Sequence, residues 1–166
     1  MNTDHRRLDG QALDDAIQRL SEARLNQDTS KCYAPLAETL FWIVRLDDWW
    51  SKAFPAGVDQ YRQERNASVH GRVIRGTHFV RNLVTHEHDY FSLVEITEGA
   101  QFPLQLPFAF FEVRWKPSIA LPKLNRFDRD GMTAHTQYLE ANPVRLTMLD
   151  ALRFFRSLKT TVNDEV

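Results

Sequence analysis

The sequence predicts a mainly α-helical bundle of four or five helices with a small β excursion near residues 108–115. Apolar residues recur at helical spacing in several separate stretches. The one dense aromatic, β-rich run, Phe108 to Trp115, is short and follows a proline-broken segment. A content of 43% apolar and 26% charged residues belongs to an ordinary globular chain, which excludes fibrous and wholly disordered classes. At 166 residues the chain suits one domain with a real core. The expected division is a helical core over 8–98, a loop and β excursion over 99–131, a C-terminal helical region over 132–159, and a frayed tail over 160–166.

From Asp9 onward, Ala12, Leu13, Ala16, Ile17, Leu20 and Ala23 keep helical spacing, with Asp9 as the expected N-cap. Asn26 to Ser30 breaks the period and reads as a connection. A second helix opens near Pro35 and runs through Leu36, Leu40, Phe41, Ile43, Val44, Leu46, Trp49 and Trp50, apolar around most of its circumference. Phe54-Pro55-Ala56-Gly57 ends it, and Val58 to Ser68 reads as a short polar helix or loop. Between Gly71 and about Phe91, Val73, Thr77, Val80 and Val84 form one apolar stripe, with His78, Asn82, Thr85, His86 and Asp89 opposite and Arg81 on the flank. Lys116 to Gly131 is broken by Pro117, Pro122 and Asn125. Asn142-Pro143 then introduces a helix carrying Val144, Leu146, Leu149, Leu152, Phe155 and Leu158.

Net charge is −1, so there is no global bias toward a polyanion. Locally, Arg62, Arg65, Arg72, Arg75 and Arg81 face a single acid, Glu64, between Tyr61 and Arg81. Such a cluster could track a phosphate backbone or form an ion-paired face. The lone Cys32 forms no internal disulfide, the N-terminal stretch is studded with charges rather than carrying a signal peptide, and no window approaches a membrane span. A cytoplasmic protein without membrane contact is expected.

The sharpest local feature is Arg81-Asn82-Leu83-Val84-Thr85-His86, whose spacing repeats upstream as Arg65-Asn66-Ala67-Ser68-Val69-His70. Arg-x4-His alone is expected about 0.6 times by chance in this composition, whereas requiring Asn after the arginine lowers that to about 0.02. The downstream copy lies in an amphipathic stretch behind Gly76, the upstream copy in a poorly periodic one.

The downstream copy resembles the signature of the HEPN superfamily, helical domains of prokaryotic toxins, phage-defence proteins and RNA-cleaving effectors. The resemblance spans roughly Leu8 to Phe91. It implies a HEPN-like bundle and a metal-independent endoribonuclease with Arg81, Asn82 and His86 as catalytic residues, acting as a homodimer on RNA, with an antitoxin or regulatory protein as a further partner. The chemistry fits the residue types. Imidazole titrates near neutrality, so His86 could move a proton to or from the ribose. A guanidinium stays charged and grips phosphate, so Arg81 could hold the scissile group. Asn82, one turn before His86, could orient the ring, and only RNA offers the 2′-OH. Arg65, His70, Arg72, Arg75 and His78 are the candidate RNA-binding residues.

Neither a cofactor nor a metal is expected. His86 and His88 point about 200° apart on a helix and cannot easily share an ion, and nothing marks Cys32 as an activated thiol. Trp42, Trp49, Trp50 and Trp115 are read as core or dimer contacts before base-stacking platforms. The rival reading is a non-catalytic helical interaction or nucleotide/RNA-binding module of the same fold.

Overall fold

The computed structural model describes residues 3–25, 29–87, 90–98, 111–122 and 128–163. Six helices and one two-stranded antiparallel sheet follow in chain order: α1 (Thr3–Leu25), α2 (Tyr33–Ala53), α3 (Val58–Ala67), α4 (Val73–Glu87), β1 (Val94–Glu98), β2 (Phe111–Trp115), α5 (Arg129–Tyr138) and α6 (Val144–Asn163). The chain is therefore mainly helical, as its periodicity implies, but the described residues hold six helices rather than four or five.

The core forms where the apolar stripes meet. α1 buries Leu13, Ala16, Ile17, Leu20 and Ala23, and α2 answers with Leu36, Leu40, Ile43 and Leu46. Burying an aliphatic side chain is worth about 1.5–3 kcal/mol, so these facing rows supply much of the drive for the first helix pair. α1 starts before Asp9, which is not an N-cap. Its carboxylate is mostly covered and accepts a hydrogen bond from Arg45 Nε of α2 at 2.8 Å. α2 is not apolar-wrapped either, since Phe41 is exposed and Trp42 and Trp49 are partly buried.

Val73, Thr77, Val80 and Val84 are all buried on α4, together with Ile74, Phe79 and Leu83. Gly76 lets α5 approach closely, because a Cβ there would stand 2.7 Å from Leu139 Cδ1 and 3.3 Å from His135 Cα. α4 then gives way to a 3₁₀ turn at Tyr90–Leu93 instead of continuing to Phe91.

Half of the β excursion was legible as β2. Its partner, β1, lies in the stretch assigned to the helical core, and the register pairs Val94 with Trp115 and Ile96 with Val113. Residues 99–110, which include Phe108 to Phe110, and residues 123–127 lie outside the described residues. The sheet is tied to the turn before α6: Trp115 N–H donates to Asn142 O and Ala141 N–H donates to Trp115 O, both at 3.1 Å. That turn places Ala141 at φ +59°.

The 99–131 loop region contains a 3₁₀ turn at Ser118–Ala120 and the start of α5, and the 132–159 region holds two helices. The expected 160–166 tail is helical as far as Asn163, and 164–166 lie outside the described residues. Among the described residues no helix is long and apolar enough to cross a membrane.

Trp115 is fully buried, and its indole N–H donates to Thr147 Oγ1 of α6 at 2.8 Å. Trp115→Ala is expected to lower the unfolding free energy by about 3–5 kcal/mol in urea titration. Ala141→Gly, which relieves a left-handed residue, is expected to raise it by about 0.5–1 kcal/mol.

Candidate functional site

Asp47 stands in the buried stripe of α2, continuing the sequence Leu40, Ile43, Val44 and leading to Trp50. A carboxylate in a core-facing position must be compensated. Three groups do so. Tyr61 O–H donates to Oδ1 at 2.6 Å. Arg65 Nη1, one turn further along α3, reaches Oδ1 at 3.1 Å and Oδ2 at 2.8 Å. His78 Nε2 of α4 lies 2.9 Å from Oδ2, a charge contact rather than a well-directed hydrogen bond. Side-chain exposure is 6% at Asp47, 12% at Arg65 and 20% at His78, so the cluster opens toward solvent at the imidazole.

Burial alone would raise the Asp47 pKa, but His78, Arg65 and Tyr61 outweigh burial and hold it below its ordinary range. Tyr61 is pushed the other way, first by burial and then by the neighbouring Asp47 charge. The ground state is an ionised carboxylate among a neutral phenol, a guanidinium and an imidazole.

A cavity of about 490 Å³ opens over this cluster, lined by Asp47, Asp48, Ser51, Arg62, Arg65, Arg75, His78 and Asp130. Three potential ligand atoms from Asp47, Asp48 and His78 lie within 4.8 Å of one another. A cation there would have to compete with Arg65 for Asp47, and mutual repulsion with the guanidinium opposes it.

The expected RNA-binding residues are drawn into internal pairs. Arg65 belongs to the Asp47 cluster. His70 Nδ1 lies 2.9 Å from Asp150 Oδ1 of α6. Arg75 Nη2 donates at 2.6 Å to Asp128, whose same oxygen accepts from Gly131 N at 2.9 Å to cap α5. Arg72 donates to the carbonyls of Asn66 and Ala67. Of the five arginines in this segment, Arg65 and Arg75 are thus met by acids distant in the chain, while Arg62 lies 3.6 Å from Asp59 within α3.

Arg81 and Asn82 share the half-buried side of α4, and Arg81 Nη1 donates to Asn82 Oδ1 at 3.2 Å. Asn82 therefore engages the guanidinium, a role not anticipated from its spacing to His86. His86 is in α4 one turn beyond Asn82, but its side chain, like Thr85, lies outside the described residues, as do His88 and Asp89.

Sequence reasoning missed Asp47, Tyr61, Asp128 and Asp150. The signal for Asp47 was available, since an acid interrupts an apolar helical period at a core position. Asp128 and Asp150 are recognisable only from tertiary placement.

A separate polar group joins the 3₁₀ turn to α5. Ser118 Oγ lies 3.1 Å from His135 Nδ1, donates to Glu140 Oε2 at 2.7 Å, and stands 2.6 Å from Thr136 Oγ1. Carboxylate and imidazole both address the hydroxyl, so the order differs from a carboxylate–imidazole–hydroxyl relay. Burial lowers the His135 pKa to about 4, with Glu140 opposing.

No family model, curated protein or solved structure matches the chain.

Asp47→Asn leaves Arg65 buried without its countercharge and is expected to cost about 3–5 kcal/mol in chemical denaturation. The depressed Asp47 pKa means that its stabilisation is present above the ordinary value of 3.8 and disappears as pH falls through the lower folded value. For His135 the unfolded chain protonates first, so stability is full above pH 6.5 and declines between 6.5 and about 4. Replacing His135 by Gln should flatten that higher window alone, read as Tm against pH.

Proposed function

We propose that this chain is a HEPN-like metal-independent endoribonuclease in which Arg81 holds the scissile phosphate, Asn82 positions the guanidinium, and His86 moves a proton. The observation that carries the reading is the hydrogen-bonded Arg81–Asn82 pair on α4, both half-buried, with Arg81 on the flank of the core stripe Val73, Val80 and Val84 and Asn82 opposite it. A guanidinium that keeps its charge suits a phosphodiester whose negative charge grows during in-line attack. The 2′-hydroxyl supplies the nucleophile, so neither metal nor cofactor is required.

Arg81 and His86 are five residues apart, about 140° around a regular helix. Two-fold association would let the arginine of one protomer meet the histidine of its partner. A homodimer is therefore part of the proposal, together with a toxin or phage-defence setting and an antitoxin or regulatory protein as a further partner.

One observation favours the second reading, a non-catalytic helical interaction or nucleotide/RNA-binding module. Arg65, His70, Arg75 and His78 each contact a carboxylate within the chain, which leaves less positive field for RNA than the sequence count implies.

Purified wild type is expected to cleave an oligoribonucleotide in EDTA and to leave its all-2′-deoxy counterpart intact. Arg81→Ala and His86→Ala should each reduce the rate about 100-fold or more, and light scattering should give twice the 19.4 kDa chain mass. Equal cutting by wild type and both variants would assign the activity to a contaminant and leave the binding-module reading in place.

A further inference from the structure

α1 carries its apolar row at Leu13, Ala16, Ile17, Leu20 and Ala23, all buried. Gly10 belongs to that row by position: on a regular helix it lies about 60° from Leu13 and about 20° from Ile17. Glycine inside a helix is less favourable than alanine or leucine, so a packed row would continue there with a side chain. Here the row is left open, and Gly10 lines a cavity of about 360 Å³ between α1, α2 and α6.

The cavity is apolar beneath and charged around its mouth. Leu46 and Trp50 of α2 and Leu152 and Phe155 of α6 line it and are all buried. Arg7 and Asp15 of α1 and Arg156 of α6 line it from exposed positions, with Asp14 half-buried among them. Two guanidiniums and two carboxylates cancel, so the mouth favours neither a bare anion nor a bare cation. Opposite charges also meet at one point. Arg156 Nη2 donates to Asp14 Oδ2 at 2.7 Å, with side-chain exposures of 58% and 47%. An ion pair so open to water contributes little by itself, so its two members can exchange each other for the charges of a ligand.

We propose that this cavity is a binding site for a small zwitterion with an apolar body, a free α-amino acid with a large apolar side chain. The side chain lies against Trp50 and Phe155 where Gly10 leaves room, the carboxylate meets Arg156, and the ammonium meets Asp14. An α-amino acid carries both charges on one carbon, which matches the adjacency of the Arg156–Asp14 pair. One exposed ion pair is replaced by two, and apolar surface leaves water. The volume sits at the small end of the roughly 300–1,000 Å³ of ligand sites, which suits a single amino acid better than a dinucleotide. The site belongs to α1, α2 and α6 and does not depend on the ribonuclease reading of α4.

The test titrates L-phenylalanine into the ¹⁵N-labelled full chain and follows the Gly10 amide and the Trp50 indole N–H by NMR. Both signals should shift saturably, with a Kd of about 1 mM or below. Glycine keeps both charges without the side chain, and N-acetylphenylalaninamide keeps the ring without the charges; each should bind at least about tenfold more weakly. Gly10→Leu fills the cavity and supplies a better helix former, so it should melt at or above the wild-type temperature and weaken binding at least about tenfold. Arg156→Gln and Asp14→Asn, at the open rim, should each weaken binding about threefold or more with Tm within a few degrees of wild type. No saturable shift below about 10 mM, or equal binding of the uncharged analogue, overturns the assignment. Binding by Gly10→Leu as tight as wild type overturns the placement. Should Gly10→Leu fail to fold, the two rim variants decide, and an unchanged Kd in both overturns the proposal.

Discussion

A carboxylate in the interior organises this protein. Asp47 occupies a helix position whose neighbours one turn away are aliphatic and aromatic, where an uncompensated charge would be prohibitive. Its ionised state persists because a phenol, a guanidinium and an imidazole converge on it from α3 and α4. The stability of the pairing depends on all three helices being in register, because removal of any partner exposes the remaining charges to a low-dielectric surrounding.

The same compensation recurs around the arginine-rich segment. Asp47, Asp128 and Asp150 come from α2, the turn before α5, and α6, yet each meets a basic side chain from the 65–75 stretch. Counting charges along the chain gives a basic patch, whereas in space much of that patch is a set of ties between elements. Polar chemistry on α4 then concentrates toward Arg81 and Asn82. A cation paired to a half-buried carboxylate has less to offer a phosphate, so Arg65 and Arg75 weigh less in the functional reading than the sequence count implies.

Several elements were legible because one strong local cause dominates them. The α4 stripe Val73, Thr77, Val80 and Val84 needs only a helical period, and Asn142-Pro143 needs only the backbone preferences of a helix start. β1 was not legible. Val94 and Ile96 alternate over too few residues to stand out, and the strand exists because β2 offers its hydrogen-bonding edge. Nor was α5, whose apolar content is slight: it is held by close contact with α4 at Gly76 and Phe79 and by the Asp128 cap. The motif Arg81-Asn82 was visible as a pattern, but the interaction of its amide with the arginine was not.

By itself, the sequence determined a single helical class of chain, most of the core-facing residues, and a short segment where a permanent cation, an amide and an imidazole recur at fixed spacing. These follow from local rules, because the helical period and residue chemistry act within a few positions. Tertiary structure alone decided which acids answer which arginines, that His78 rather than a solvated side chain faces Asp47, and that a cavity opens above them. Ion pairing and enclosure join residues separated by tens of positions, and their energies depend on burial that no local pattern contains.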